Sequence, residues 1–568
     1  MKRRLNFVLY CLVMFLLVLS SCNKEETSSA DIDNGITHEE ESDYTWDSSS
    51  EIDIILNGTS IEKSSSKVTV SGTTATITSA GNYRISGSLT SGQIVVNAGD
   101  EDLVRLILDG ASVINATSSA LVVLNSSKTI INLVSGTTNT LTDATTYTSF
   151  IDEDLNAALF SKSDLTIFGE GTLVVNGNYN DGITSKDGLI LKSGTYNVTA
   201  KDDGIRGKDF LIVESGSYTV NSGGDGLKSD NEDASAVGYI KITGGDFSIT
   251  SSGDGISAQT NVMVGGDGTY TLKTGGGSSS TATSTSSKGI KGLTKVTVES
   301  GTYVINSADD GIHSNNAVEI NGGNIQISTA DDGVHAESSI TVNDGIVAVT
   351  KSYEAFESLK ITVNGGSVNL VATNDAVNAT AGTVNGGTEQ TDGSCLAVTG
   401  GTLCASCTNG DAIDSNGNVL ITGGTVVVNG PASGIEEAAD VNGSFNMNGG
   451  FFIGAGTNSN MNKTMSATSS QHNIYVISSR SSLSAGTIFH IQDGTGADIV
   501  TFKPVRSYYS ILFSSSSLAT SVTYSIYTGG TCTGTESNGL YSGGTYSGGT
   551  FKKSFTLSTS SAVTSISL

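Results

Sequence analysis

From about residue 52 onward the chain is built of short alternating runs. Leu189-Ile190-Leu191 and Tyr196-Asn197-Val198 are typical, each standing in a run of four to six residues that ends at Gly or Asn. Period-two alternation closed by turn residues predicts short strands. The runs repeat. Asp-Gly-Ile returns as Asp181-Gly182-Ile183, Asp203-Gly204-Ile205, Asp225-Gly226-Leu227, Asp254-Gly255-Ile256, Asp310-Gly311-Ile312 and Asp332-Gly333-Val334. Degenerate copies stand at Lys288-Gly289-Ile290, Glu354-Ala355-Phe356, Asp375-Ala376-Val377, Asp411-Ala412-Ile413 and Ser433-Gly434-Ile435, and the commonest spacing is 22 residues. A second marker, Gly-x-apolar (Gly194-Thr195-Tyr196, Gly216-Ser217-Tyr218, Gly301-Thr302-Tyr303), puts its apolar residue 7 before the next Asp.

One such unit cannot bury its apolar face alone, so the units must stack. Short strands with glycine corners predict an all-β chain folded as a right-handed parallel β-helix, its coils about 4.8 Å apart so that like positions form ladders. A propeller would need about 40 residues per blade. The period divides the chain into an N-terminal cap with the first coils (51–155), the repeating helix (156–455) and a small C-terminal β cap or domain (456–568). Additional residues at about 228–238, 274–287 and 380–394 are expected to leave the solenoid on one side and shape a binding surface.

Composition narrows the picture. Seventy glycines against 2 prolines exclude collagen, and 37% hydrophobic residues exclude a flexible linker. A net charge of −27 excludes nucleic acid as a partner, since counterion release needs a basic surface. It leaves two readings, a soluble acidic surface or one that holds hard cations.

Lys2, Arg3 and Arg4 precede an apolar stretch from Leu5 to Leu19 and the lipobox Leu19-Ser20-Ser21-Cys22. This predicts a lipoprotein signal peptide over 1–21 and a diacylglycerol on Cys22, with the membrane held by lipid rather than by a helix. Losing residues 1–21, which carry three basic and no acidic residues, moves the charge to −30. Cys22-Asn23-Lys24-Glu25-Glu26 resembles a lysine/acidic export signal, so the expected location is the outer face of the outer membrane. The polar, acidic stretch 22–50 reads as a flexible tether.

Stacked coils turn positions into columns. The Gly-x-apolar column runs from Tyr196, Tyr218, Phe247, Tyr270 and Tyr303 into Ile325, Val347 and Val368, so it reads as an interior stack rather than a sugar platform. The Asp column is doubled at Asp202-Asp203, Asp309-Asp310 and Asp331-Asp332. Two readings stand: Asx-turns before a permissive Gly, or doubled rungs that hold calcium, which takes 6–8 oxygen ligands. Three residues on runs a polar column expected to face solvent: Arg206, Lys228, Ser257, Lys291, His313, His335, Glu357, Asn378, Asp414 and Glu436. Calcium candidates are Asp202, Asp203, Asp225, Asp254, Asp309, Asp310, Asp331, Asp332 and Glu354. His313, His335, Glu337, Glu357, Lys228 and Arg206 are candidate glycan contacts. Cys404-x-x-Cys407 has no second pair at zinc spacing, leaving either a disulfide to Cys395 or small apolar stack residues.

The series Asn156-Ala157-Ala158-Leu159-Phe160-Ser161-Lys162-Ser163-Asp164-Leu165-Thr166-Ile167, then Lys201-Asp202-Asp203-Gly204-Ile205, Ala308-Asp309-Asp310-Gly311-Ile312-His313 and Ala330-Asp331-Asp332-Gly333-Val334-His335, resembles the bacterial carbohydrate-binding domain-containing β-helix family, similar in fold to calcium-dependent pectate lyases. The resemblance implies calcium and adhesion to cell-wall polysaccharide, cellulose or acidic pectic polymers, with the doubled-Asp rungs, His313, His335, Glu354 and Glu357 as the site. Two other functions compete. A calcium-dependent polysaccharide lyase would abstract a proton by one of Arg206, Lys228, Lys288 or Lys291 in β-elimination. A structural adhesin would use the Asp column for turns only.

Overall fold

The structure is a computed structural model that describes residues 32, 37–149, 154–281, 284–382, 391–459, 465–466, 468, 470–478, 481–559 and 561–568. The signal peptide, lipobox and Cys22 lie outside these residues. No helix among them is long and apolar enough to cross a membrane. The chain divides into two compact units. One is Ser28–Asn315 with Gly323–Ile325; the other is Asn316–Gly322 with Gln326–Leu568.

The N-terminal unit is a parallel β-helix with three strands per coil. Ile205–Gly207, Phe210–Val213 and Ser217–Ser222 make one coil, and each strand pairs in parallel with its counterpart one coil on. The 22-residue period is therefore the pairing register, with Tyr196 opposite Tyr218 and Ile183 opposite Ile205. Inward positions form the core. Tyr196, Tyr218, Phe247, Tyr270 and Tyr303 are at most 3% exposed and stack with centroids 4.4–4.9 Å apart, which is the strand spacing itself. The column is core, as its drift toward Ile and Val predicts.

The two repeating glycines do different work. Gly194, Gly216, Gly245 and Gly301 have φ of +108 to +121°, a conformation that other residues rarely adopt. The glycine after Asp is not the permissive corner expected of an Asx-turn. It is a packing position, for a Cβ on Gly204 would lie 2.4 Å from Val220 Cγ1 and 2.6 Å from the Gly226 carbonyl oxygen.

Residues 37–50, expected as flexible tether, are ordered against the outer side of the second strands. His38 stacks on Phe210 at 4.0 Å and bonds the Tyr239 hydroxyl at 3.1 Å. Asp43 pairs with Lys128 at 2.5 Å, Arg105 donates to the Ser42 and Asp43 carbonyls, and Tyr44 and Trp46 meet Phe168 edge-on. Outward Ile190, Phe210, Ile212 and Tyr239 form an apolar cluster, and the strap covers it. The composition of 22–50 concealed this because the apolar contacts of the described residues come from a few side chains, among them Ile32, His38, Tyr44 and Trp46.

In the C-terminal unit the same three-stranded coils run to Phe451–Gly456. The third-strand ladder of parallel pairs ends there, because Phe451–Gly456 pairs antiparallel with Ser510–Ser515, while Phe445–Met447 still pairs in parallel with Met465–Ser466. Ser510–Ser515 also pairs with His472–Ile477, closing an edge that would otherwise offer unpaired backbone. A separate antiparallel sheet follows, with Phe489, Phe502, Tyr524 and Ile526 packed into one core with outward Cys404, Val427 and Ile453 of the coils. Cys404 and Cys407, an odd number of residues apart on the strand Thr402–Cys407, face opposite sides. Both are free thiols, as is Cys532, so the disulfide to Cys395 does not form with any of them. Burial pushes the Cys404 thiol up to about 11 and Cys407 higher still.

The insertions do not leave on one side. Residues 230–238 follow the first strand of a coil, Leu227–Ser229, and 380–394 follow Val377–Ala379, also a first strand, whereas 275–289 follow the third strand Thr269–Thr274. The segment 383–390 lies outside the described residues.

Truncating an interior ring should open a cavity that rigid neighbouring coils cannot close. Tyr218→Ala is expected to cost about 3–5 kcal/mol. Tyr218→Phe loses only the 2.7 Å hydroxyl bond to the Ser215 carbonyl and should cost about 1 kcal/mol. Thermal and urea unfolding of both variants check this, and equal losses would mean the ring is not a packed core element.

Candidate functional site

The Asp column is an inter-coil device. Asp203 N–H donates to Asp181 Oδ1 at 3.3 Å, Asp225 N–H to Asp203 Oδ1 at 2.9 Å, Asp254 N–H to Asp225 Oδ1 at 2.8 Å and Lys288 N–H to Asp254 Oδ1 at 2.7 Å. Each carboxylate therefore satisfies the backbone N–H of the same position one coil on, instead of closing its own Asx-turn. The C-terminal unit repeats the arrangement. Glu354 N–H donates to Asp332 Oδ1 at 3.2 Å, Asp411 N–H to Asp375 Oδ1 at 2.6 Å, and Glu437 N–H to Asp411. This register corrects two sequence assignments. The degenerate copy after Asp411 is Glu437-Ala438-Ala439, whose carbonyls receive the Ala412 and Ile413 N–H groups, not Ser433-Gly434-Ile435. The polar column accordingly continues from Asp414 to Asp440, not to Glu436. Ile435 lies in the loop, 81% exposed.

One carboxylate oxygen is thus fixed, and the second turns to the polar column, whose members are half-buried rather than solvent-facing. In the N-terminal unit that column supplies cations. Lys228 Nζ bridges Asp203 at 2.9 Å and Asp225 at 3.1 Å. Lys291 meets Asp254 at 3.3 Å. Lys288, standing in the Asp column itself, reaches Asp309 at 2.7 Å and Asp310 at 3.2 Å. Arg206 pairs with Asp230 at 2.7 Å and lies 3.8 Å from Asp181. Burial pulls the Lys228 ammonium down, but Asp225 and Asp203 outweigh it and hold it well above the ordinary lysine range; Asp310 and Asp309 do the same for Lys288. All four candidate lyase bases are therefore engaged as counter-ions, and the two lysines shifted upward are poor proton acceptors.

Not every ladder acid is fully compensated. Burial and then Asp203 push Asp181 up to about 7, and burial and then Asp254 push Asp225 to about 6. Asp181, Asp202 and Asp203 bring carboxylate oxygens within 4.8 Å of one another. Asp202 itself is exposed, and Asp309 and Asp331 flank the ladder half-buried. His313 bonds Asp310 at 2.8 Å and Asn315 at 3.0 Å. His335 lies 3.4 Å from Asp332 and 3.9 Å from the exposed Glu337.

The C-terminal unit carries a different charge pattern on the same scaffold. Its Asp column reads Asp332, Glu354, Asp375, Asp411 and Glu437, and its polar column His335, Glu357, Asn378, Asp414 and Asp440. Neither contains Lys or Arg. Among the described residues no Lys or Arg comes within ion-pair distance of Glu354, Glu357, Asp375, Asp411 or Asp414. Protons compensate instead. Burial and then Glu354 push Glu357 up to about 9 and Asp375 up to about 7. Burial and then Asp375 push Asp411 to about 9 and Asp414 to about 8.

Two oxygen groups there could hold a cation: Asp411, Asp414 and Asp440, and the mixed set Asp332, His335 and Glu357, each with ligand atoms within 4.8 Å of one another. The first is all carboxylate, the donor type calcium prefers. One rung away the buried Asn378 Oδ1 has no hydrogen-bond partner, an oxygen lone pair whose burial costs free energy unless something meets it. Asp375, Asp411, Asp414 and Asp440 were absent from the sequence-based calcium set. The signal was present, because the polar column loses its last lysine at Lys291.

Two outcomes follow from these electrostatics. Lys228→Met strands two buried carboxylates and should lower stability at neutral pH by up to about 3 kcal/mol, while Arg at this position retains most of it; denaturant titration reads the difference. In the C-terminal unit the folded-state pKa values lie above the unfolded ones near 4. The folded state then binds more protons between about pH 4 and pH 9, so stability falls as pH rises through that window. Without divalent cation the melting temperature should therefore drop from pH 5 to pH 9, and a flat profile would contradict the raised carboxyls.

Residues 71–333 match the family model described as "Carbohydrate-binding domain-containing protein". A curated relative from Acetivibrio thermocellus with the same description is 39% identical over 127 residues, which is 22% of this chain and 44% of the relative. The chain thus spans under half the length of that relative. Among solved structures, "Structure of the polysaccharide lyase-like protein from C. thermocellum, Gadolinium derivative" is 31% identical, covers 40% of this chain and 92% of that one, and superposes with a TM-score of 0.39.

Proposed function

We propose that the protein binds polysaccharide, without cleaving it, through the Asp-bearing corners of its coils, and that calcium is held at Asp411, Asp414 and Asp440. The carbohydrate-binding match over 71–333 supports the glycan partner; it ends before these three residues, which stand on the same kind of ladder. The observation that carries the cation is the contrast between the two units. Where lysine serves the ladder, in the N-terminal unit, Asp203, Asp225, Asp254, Asp309 and Asp310 have an ammonium within 3.3 Å, and the largest carboxyl shifts there, at Asp181 and Asp225, stop at about 7 and 6. Where it is missing, burial and mutual repulsion leave Asp411 and Asp414 raised to about 9 and 8, and a divalent cation is the chemistry that relieves both terms.

Bound there, calcium would supply a Lewis-acidic centre able to coordinate glycan hydroxyl or carboxylate oxygens. The chain's own residues do the rest. Asp375 fixes the Asp411 backbone, Asp411 fixes that of Glu437, and Asn378 offers its amide oxygen from the neighbouring rung. The non-catalytic reading draws support from the pairing of Arg206, Lys228, Lys288 and Lys291 with carboxylates. Display on the cell by a lipid on Cys22 rests on the lipobox.

The soluble chain, incubated with insoluble glucans and with polygalacturonate, is expected to be retained on glycan and to release no unsaturated uronate product. Calcium should raise its melting temperature, more at pH 8 than at pH 5 because protons compete for the same oxygens. Asp411→Asn together with Asp414→Asn should abolish that shift while leaving the N-terminal unit folded. Product formation would replace this reading with a lyase. A calcium shift unchanged in the double variant would move the ion elsewhere.

A further inference from the structure

The strap over the N-terminal unit is held in two different ways. Its inner half is fixed by cations that each find a partner in it. Asp43 pairs with Lys128, and Arg105 donates to the Ser42 and Asp43 carbonyls at 3.1 Å. The same guanidinium lies over the Trp46 ring at 5.2 Å, and the Trp46 indole N–H donates to Glu51 at 2.8 Å. The outer half is less closely fixed. Ile32 and His38 meet the apolar cluster around Phe210, and beside them a cleft of about 270 Å³ opens between Glu39 and the coil residues Ile190, Ile212 and Thr243. A segment with few buried contacts is the part of a fold that opens first.

At Glu39 one ammonium serves two carboxylates. Lys192 Nζ lies 2.8 Å from Glu214, one coil on, and 3.5 Å from Glu39, with the Tyr44 ring centre 4.4 Å away. Lys241 on the following coil also attracts Glu214 and has contacts of its own. Around His38 stand Lys128, which donates to the His38 carbonyl at 2.9 Å, Asp164, and the Tyr239 hydroxyl at 3.1 Å.

Burial and then Glu214 push the Glu39 carboxyl up to about 7. Burial raises Glu214 as well, but its bonds to Glu39 and Lys192 outweigh this and hold it below the usual carboxylate range. At mildly acidic pH the pair thus shares one proton, with Glu39 donating to Glu214 and the strap bonded to the coil. The docked strap binds this proton more tightly than a released one, whose glutamate has the ordinary value of 4.5. Docking is therefore strongest below about pH 4.5 and weakens as pH rises to about 7. Above that, two like charges face one ammonium in half-buried surroundings.

We propose that the outer half of the strap is a proton-dependent cover: with a proton shared by Glu39 and Glu214 it lies on the coils, and with both ionised it lifts and uncovers Phe210 and Tyr239. Asp43, Tyr44 and Trp46 keep the inner half in place. The face uncovered is apolar and aromatic, the character of an interaction surface. This device is independent of the glycan-binding reading above.

Amide hydrogen exchange of the soluble chain, read by mass spectrometry and corrected at each pH for the intrinsic rate, tests it. Peptides over 37–41 should exchange at least tenfold faster at pH 8.5 than at pH 5.5, and those over 43–50 less than threefold faster. Fluorescence of an uncharged polarity-sensitive dye should rise over the same interval. Glu39→Gln, whose amide still donates to Glu214 and has no proton to lose at these pH values, should keep exchange slow and the dye signal low throughout. Glu214→Gln should do the same, because Lys192 then serves Glu39 alone. Exchange over 37–41 that ignores pH in the wild type overturns the proposal, and so does a flat dye signal. A pH response that persists in both variants overturns it in favour of titration around His38 and Asp164. Equal acceleration over 37–41 and 43–50 overturns the division into two halves, since the strap would then leave as a whole.

Discussion

The fold depends on one hydrogen bond, from the backbone N–H at the ladder position to the carboxylate of the same position one coil earlier. A backbone N–H at a coil corner is an obligatory donor at a point where strand pairing has not yet begun. In this protein Asp181, Asp203, Asp225 and Asp254 meet it with Oδ1, at 2.7–3.3 Å. The bond also sets register, because a coil shifted by one residue would present the neighbouring side chain and leave both groups unpaired. Its consequence is electrostatic. A ladder made of carboxylates stacks like charges at about the strand spacing of 4.8 Å, and burial in a medium of low polarity strengthens their repulsion. Every other feature of this corner answers that repulsion.

The two units answer it differently. In the N-terminal unit the residue three places on, or the ladder residue itself at Lys288, returns a positive group to the carboxylate. Lys228 between Asp203 and Asp225 offsets part of that repulsion, and Asp181 and Asp225 keep a raised carboxyl. In the C-terminal unit the same positions hold His335, which meets Asp332, and then Glu357, Asn378, Asp414 and Asp440, and along these last rungs the charge is reduced by protonation, which changes with pH. A proton is the least specific of the available counter-ions. The scaffold is shared, and the identity of one column decides whether a rung is structural or receptive.

Much of this was legible because a solenoid converts sequence spacing into spatial columns. The 22-residue interval predicted that Tyr196 and Tyr218 stack, and that Asp203 and Asp225 occupy successive rungs. The direction of a side chain at a corner was not legible. The same Asp-Gly pair serves an Asx-turn or an inter-coil ladder, and only the Cβ clash at Gly204 shows that its glycine is a packing residue. Local resemblance also misled at Ser433-Gly434-Ile435. That triplet copies the motif inside a loop, while the rung itself is carried by Glu437-Ala438-Ala439, which fits because Ala, as at Ala355 and Ala376, is the largest side chain seen at the second position. The lysine pairings escaped for a further reason. Lys228 serves its own rung and the one before it, a connection across 25 residues that periodicity marks as adjacent without saying that the side chain turns that way.

The strap over residues 37–46 bears on which surface of the N-terminal unit is free. Phe168, Ile190, Phe210, Ile212 and Tyr239 all point out of the second strands, and an uncovered apolar patch of that kind on a soluble chain marks an interaction surface. Ile32, His38, Tyr44 and Trp46 occupy it, with the Asp43–Lys128 and Glu39–Lys192 pairs holding the strap at points along it. The broad aromatic face that would otherwise be the obvious sugar platform is therefore used within the molecule. The Asp-bearing corner of that unit is not among the strap's contacts, and there Asp202 is exposed and Arg206 and Lys228 are half-buried. Its Arg206 and Lys228 are already paired with carboxylates. The C-terminal corner has the opposite character, since among the described residues no Lys or Arg pairs with Glu354, Glu357, Asp375, Asp411 or Asp414.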